Sequence, residues 1–185
     1  MSKMHIYGDS FADPEFNTQG HDWAWTKQIA QRYSVTNHAQ AGTGCDWSLQ
    51  KLLATDLRPI DSVVFVCGYA NRYHLMPKRD LQNCTPIFTE SWLQRQYIST
   101  VATVKAVCPR AIVFLVDQNT VQHHIYDGYS FRVHPTPLLD IYERDNLTYR
   151  SDDWPDQGNR DRRPNHLQQA NHEYILKTIE DFVCK

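Results

Sequence analysis

The sequence predicts an α/β domain built on a parallel sheet. Two runs, 62–67 (Ser-Val-Val-Phe-Val-Cys) and 111–116 (Ala-Ile-Val-Phe-Leu-Val), are apolar almost throughout and rich in β-branched residues. Continuous rather than alternating apolarity marks strands buried on both faces, as in a parallel sheet covered by helices. Amphipathic helical patterns lie between and after these runs, and strands alternating with helices define the α/β class.

The elements follow in order. Residues 3–7 form a short candidate strand. Residues 22–33 carry Trp25, Ile29 and Tyr33 at i, i+4 and i+8, the core-facing stripe of a helix. A weaker strand follows at 34–37. The run 62–67 ends at Gly68. Residues 90–107 place Leu93, Tyr97, Val101 and Val104 on one helical face, and the pattern stops before Pro109. The run 111–116 ends at Asp117. A last helix carries Ile175, Ile179, Phe182 and Val183. Residues 118–163 differ: they cluster His, Tyr, Asp, Arg and Pro, with a short helical stretch near 138–143. So long a segment in a small domain is either a lid or binding loop or a plain structural excursion. With no internal repeat, low-complexity tract or linker, residues 1–185 read as a single domain with that polar excursion.

Composition narrows the function classes. The chain has 185 residues, 19 Lys and Arg against 21 Asp and Glu, and a formal net charge of −2. No basic surplus exists to drive nucleic-acid binding, and a basic membrane-surface protein is disfavoured for the same reason. The longest apolar runs are far too short to span a bilayer. Residues 1–7 enter a strand pattern at once, without a signal-peptide core, so the expected location is cytoplasmic. The five cysteines are odd in number and lack a CxxC pair, which favours reduced thiols over a disulfide framework. Cys67 and Cys108 border apolar runs and read as small buried hydrophobes. In that setting the sequons at Asn83 and Asn146 carry no glycan.

Four blocks hold residues suited to chemistry. The first strand runs into Gly8-Asp9-Ser10. A serine there sits at the carboxyl edge of a parallel sheet, where open α/β folds place ligands; such a tripeptide is equally an ordinary βα turn. No GxGxxG follows, so a dinucleotide fold is disfavoured. The second block, Asn37-His38-Ala39-Gln40-Ala41-Gly42, offers a glycine whose main chain can approach a ligand closely, or a flexible turn. The third, Gly68-Tyr69-Ala70-Asn71-Arg72, presents an Asn side chain able to donate to an oxyanion, or to bond its own turn. In the fourth, Arg163-Pro164-Asn165-His166-Leu167-Gln168, Asn165 and Gln168 form a capping-box pattern. His166 then lies in the first helical turn, where the positive helix end favours neutral imidazole and hence a base.

Taken in order, these blocks resemble the SGNH/GDSL hydrolase superfamily. Gly8-Asp9-Ser10 resembles the nucleophile block, Gly42 the glycine block, Gly68-Tyr69-Ala70-Asn71 the GxxN block and His166 the histidine block. His172 fits the second histidine often found six residues further on. The resemblance spans residues 4–172. It implies a three-layer α/β/α flavodoxin-like sandwich with a central parallel sheet of about five strands. It implies Ser10 as nucleophile and His166 as general base. The Ser10 N–H, the Gly42 N–H and the Asn71 side chain would form the oxyanion hole.

One departure stands out. The family usually places an Asp three residues before the catalytic histidine, and that position is Arg163. Asp161 is the nearest carboxylate and the expected orienter of His166. Asp156, Asp153 and Asp152 are lesser substitutes, and a Ser–His dyad oriented by a backbone carbonyl is the remaining alternative. The implied activity is a serine esterase, lipase or deacetylase acting on a small or carbohydrate-linked acyl ester. Asp9, Tyr69, Arg72 and Tyr126 are candidate substrate contacts. Tyr69, Tyr73, Tyr126 and Tyr129 either line a polar cleft or are exposed loop aromatics, and Trp47, Trp92 and Trp154 read as packing residues. No cofactor is needed, and His123-His124 lack a Cys or carboxylate at ligand spacing, so no metal site is expected. The sequence style also resembles short SGNH-like proteins of bacteria and their phages, with virion association if phage-encoded. The competing class is a non-catalytic binding or assembly module that keeps the fold, with Arg163 marking a decayed triad.

Overall fold

A computed structural model describes residues 2–18, 22–68, 90–115 and 169–183. Among these residues four strands form one sheet: β1 (Met4–Tyr7), β2 (Val35–Asn37), β3 (Ser62–Cys67) and β4 (Ile112–Leu115). The order is β2-β1-β3-β4 and every pairing is parallel. The register sets Met4 against both Val35 and Ser62, and Val64 against Ile112. Among the described residues five helices accompany the strands: α1 (Pro14–Thr18), α2 (Trp25–Arg32), α3 (Cys45–Leu53), α4 (Glu90–Val107) and α5 (Gln169–Val183).

Strand alternation divides the core into two layers. Met4, Ile6, Val64, Val66, Ile112 and Phe114 point to one face, where Trp25 and Ile29 of α2 and Ile175 and Ile179 of α5 pack. Tyr7, Val63, Phe65, Cys67, Val113 and Leu115 point to the other, against Leu52 of α3 and Tyr97, Val101 and Val104 of α4. Both faces are dry, which is why the strands read as unbroken apolar runs. The result is the expected three-layer α/β/α sandwich, with four strands from the described residues against the about five implied. Cys67 and Cys108 are buried, as their setting suggested.

Several boundaries match the sequence expectation: β3 and α4 begin and end where the patterns placed them. The second helix starts later than expected, at Trp25 rather than at residue 22. Ala24 keeps extended backbone at φ −59° and ψ 132°, and the Trp25 N–H is taken by the His172 ring instead of a local cap. Two helices had no sequence expectation. The first, α1, is a single short turn of helix capped by Asp13, whose Oδ1 accepts the Glu15 and Phe16 N–H groups at 2.9 and 3.2 Å. Pro14 fits the first helical position because its missing N–H would have no partner there. The second, α3, buries Cys45, Ser48 and Leu52 at i, i+3 and i+7, a helical period partly hidden by its polar members.

The polar excursion at 118–163 lies outside the described residues, as does the capping pattern at Asn165 and Gln168. Among the described residues no helix is long and apolar enough to cross a membrane.

Candidate active site

The strand order places a topological switch between β1 and β3. The chain leaves β1 toward β2 on one side and returns across it to β3 on the other. Ligand crevices of doubly wound sheets open at the carboxyl ends of the strands flanking such a point. Ser10 follows β1 and Gly68 follows β3, so both lie at that position.

The turn carrying Ser10 is tightly built. Ala12 and Asp13 donate their N–H groups to the Asp9 carbonyl at 3.0 and 2.9 Å. The Asp9 carboxylate accepts the Phe11 N–H at 3.1 Å. Asp9, expected against substrate, is 1 % exposed, and its carboxylate lodges against Gly68 so closely that a Cβ there would overlap it. Thus the Gly-Asp-Ser turn and the start of the Gly68 segment touch through a glycine–carboxylate contact. Gly68 is fixed from the far side as well: its carbonyl accepts from the Tyr97 hydroxyl, and the Cys45 thiol approaches it at 3.6 Å. Cys67, beneath, has its thiol pushed well up, first by the neighbouring Cys45 thiol and then by burial.

The loop with Gly42 is strapped onto the Ser10 turn. Gln40 donates its N–H to the Gly8 carbonyl at 3.1 Å. Asn37 donates its side-chain N–H to the Ala12 carbonyl at 2.9 Å and accepts the Ala39 N–H at 2.8 Å. Ala41 donates its N–H to Asp13 Oδ2 at 2.7 Å. Gly42 itself has φ +79°, and a Cβ built on it would meet nothing within 4 Å among the described residues. Glycine is needed for its backbone angle there, and no described residue fills the space beside it. Ser10 is 4 % exposed. Neither the Ser10 N–H nor the Gly42 N–H enters a hydrogen bond among the described residues. Just beyond, Gly44 caps α3, whose positive end adds to the field at this loop.

The structure therefore joins Ser10, Gly42 and Gly68 at one edge. Asn71, His166 and Asp161 lie outside the described residues, as do Tyr69, Arg72 and Tyr126. His172 is described: it is fully buried, its Nδ1 accepts the Trp25 N–H at 3.2 Å, and its ring meets Trp23 edge-on at 5.0 Å. It joins α5 to the start of α2. Sequence reasoning gave no role to Asp13, and it placed Asn37 in the second block without a role for its side chain; their contacts reach 28 and 25 residues along the chain. The only sequence signal was Asp13-Pro14, a helix-start pair. Among the described residues no group of three or more His, Cys, Asp or Glu is arranged to hold a metal ion.

Sequence comparison finds no matching family model and no match among curated proteins. Solved structures do match, along the whole chain. A member of the lipolytic protein G-D-S-L family from Veillonella parvula aligns over 98 % of this chain and 97 % of its own, with a TM-score of 0.58 at 8 % identity. TesA aligns over 98 % of both chains, with a TM-score of 0.62 at 13 % identity. An acetylxylan esterase from Geobacillus stearothermophilus aligns over 98 % and 94 %, with a TM-score of 0.55 at 12 % identity. The parallel-sheet architecture is thus shared with these proteins. The chain has the SGNH hydrolase fold.

Proposed function

We propose that the chain is a carboxylic ester hydrolase of the SGNH type, with Ser10 as nucleophile. One observation carries the reading. A serine turn at the sheet's switch point is tied by hydrogen bonds to a left-handed glycine loop, and the Ser10 and Gly42 N–H groups are unspent among the described residues. Uncommitted backbone donors beside a nucleophile are what an acyl-transfer site requires. The similar structures, lipolytic proteins and an acetylxylan esterase, support the same chemistry.

The reaction proceeds by acyl transfer in two steps. His166 accepts the Ser10 hydroxyl proton as the oxygen attacks the ester carbonyl. The Ser10 and Gly42 N–H groups and the Asn71 side chain donate to the tetrahedral oxyanion. The alcohol leaves with a proton from His166. Water activated by the same imidazole then releases the acid and regenerates Ser10. Asp161 accepts the second imidazole N–H and fixes the tautomer, a task Arg163 cannot perform because a guanidinium has no acceptor. Loss of one oxyanion donor raises the barrier by about 3 kcal/mol. The proposed substrate is a small or carbohydrate-linked acyl ester, met by Tyr69, Arg72 and Tyr126.

The test is covalent labelling of purified protein with a fluorophosphonate, paired with turnover of a short-chain aryl ester. Labelling and turnover in the wild type, both lost in Ser10→Ala, are the expected results. No labelling and no turnover in the wild type would refute the enzyme and favour a binding module on the same fold.

A further inference from the structure

We propose that Asp13 is a positioning residue for the oxyanion hole, acting through the backbone of Ala41. The inference rests on the esterase reading and adds a residue that the four motif blocks do not contain. Its basis is a carboxylate with two distinct duties. Oδ1 caps α1 through the Glu15 and Phe16 N–H groups. Oδ2 reaches across to the other loop and accepts the Ala41 N–H at 2.7 Å. Asp13 itself belongs to the Ser10 turn, since its N–H donates to the Asp9 carbonyl at 2.9 Å. One side chain therefore connects the turn bearing the nucleophile to the residue directly before Gly42.

The connection matters because of what Gly42 lacks. Its φ is +79°, and among the described residues nothing comes within 4 Å of where a Cβ would stand, so no described side chain packs against its Cα there. The direction of its N–H is set by the peptides on either side. On the far side Thr43 closes a turn to the Gln40 carbonyl through its N–H at 3.3 Å and its hydroxyl at 2.7 Å. On the near side the Ala41 N–H is held by Asp13. A charge-assisted hydrogen bond of this length is the strongest fixed point on that side of the glycine. Asn37 and Gln40 tie down the earlier part of the loop, and the Gln40–Ala41 peptide, next to the one that carries the Gly42 N–H, is held through its carbonyl by Thr43 and through its N–H by Asp13.

The kinetic signature follows from when the oxyanion exists. The hole binds charge that develops only on the way to the tetrahedral intermediate, so misaiming Gly42 lowers kcat and leaves KM nearly unchanged. A misplacement of about 1 Å at a reacting centre costs on the order of 100-fold. Freeing one peptide without deleting it should cost about 10- to 100-fold in kcat.

Two variants separate the duties. In Asp13→Ser a good N-cap oxygen remains for α1, while the second oxygen that reaches Ala41 is gone. In Asp13→Asn the shape is kept, but a single oxygen cannot serve both groups, and the amide N–H faces a donor. Both are assayed against wild type for kcat and KM on an aryl acetate, for melting temperature, and for hydrogen exchange at the Ala41 amide. The expected result is lower kcat with KM and melting temperature held, the wild-type pH midpoint, and faster Ala41 exchange. Wild-type kcat in Asp13→Ser overturns the proposal, and so does an Ala41 amide that exchanges as slowly as before. A parallel fall in kcat and melting temperature in both variants also overturns it, leaving only a helix cap. Wild type that neither turns over esters nor takes the fluorophosphonate refutes the esterase reading itself, and this role with it. Active wild type with an unimpaired Asp13→Ser refutes the role of Asp13 alone.

Discussion

Two glycines at the candidate site have positive φ for different reasons, and alanine substitution separates them. Gly8 has φ +156°, and a Cβ there would sit 2.9 Å from the Val66 Cβ, 3.0 Å from the Ala12 Cβ and 3.1 Å from the Val66 carbonyl oxygen. None of these is the free end of a flexible side chain. Val66 is in β3, hydrogen-bonded into the sheet, and Ala12 is buried in the Ser10 turn. Gly8→Ala therefore meets a conformational cost of about 1–3 kcal/mol and an overpacking cost of about 1–3 kcal/mol, about 4 kcal/mol at mid-range. Gly42→Ala meets only the conformational cost, about 1–2 kcal/mol, because nothing among the described residues lies within 4 Å of its Cβ. With a urea slope of about 2 kcal/mol per molar, Gly8→Ala should lower the unfolding midpoint by about 2 M and Gly42→Ala by less than about 1 M. The assay is equilibrium urea unfolding of the full chain by circular dichroism, with the slope compared between variants. A Gly8→Ala midpoint within about 0.5 M of wild type would refute the close packing of the turn on β3. A Gly42→Ala variant at least as destabilised as Gly8→Ala would refute the open surroundings of Gly42.

Two further outcomes are expected. His5 and His38 stack with Tyr7, share a ring-to-ring hydrogen bond of 3.1 Å, and lie beside Asp61, Lys3, Arg58 and Lys51. Burial lowers both histidines below the ordinary value of 6.5, with Asp61 pulling His5 back up and His5 lowering His38 further. The unfolded chain therefore binds protons before the fold does, so their contribution is complete above about pH 6.5 and is lost as pH falls below it. Urea midpoints measured from about pH 8 to 5 should decline below that point. His5→Gln should flatten the decline, and an unchanged slope in that variant would remove the pair from the effect. His172→Phe keeps a ring between α5 and α2 but removes the acceptor for the buried Trp25 N–H. Thermal melts should show a loss of about 1–3 kcal/mol; an unchanged melting temperature would mean that this bond contributes nothing net.

The sequence by itself determined the class of fold and the elements with a strong local period. The runs at 62–67 and 111–116 could only be strands dry on both faces, and α4 kept one apolar face from Tyr97 through Val104 until Pro109 ended it. The ordered blocks also picked out Ser10 and Gly42, because a carboxyl-edge serine and a glycine after the next strand are visible as patterns. The helix α3 escaped notice because Cys45 and Ser48, two of its three buried positions, do not read as an apolar stripe. Tertiary structure alone decided the strand order β2-β1-β3-β4, and so which loops share the switch point. It alone made Asp9 a buried brace against Gly68 rather than a surface group, and gave Asp13 its second duty at Ala41. It also turned His172 into the acceptor for a helix start 147 residues away. Periodicity reports which face of an element is dry, because that depends on neighbours three or four residues along the chain. A hydrogen bond between segments brought together by the sheet depends on a register no local pattern encodes, so those partners appear only once the strands have paired.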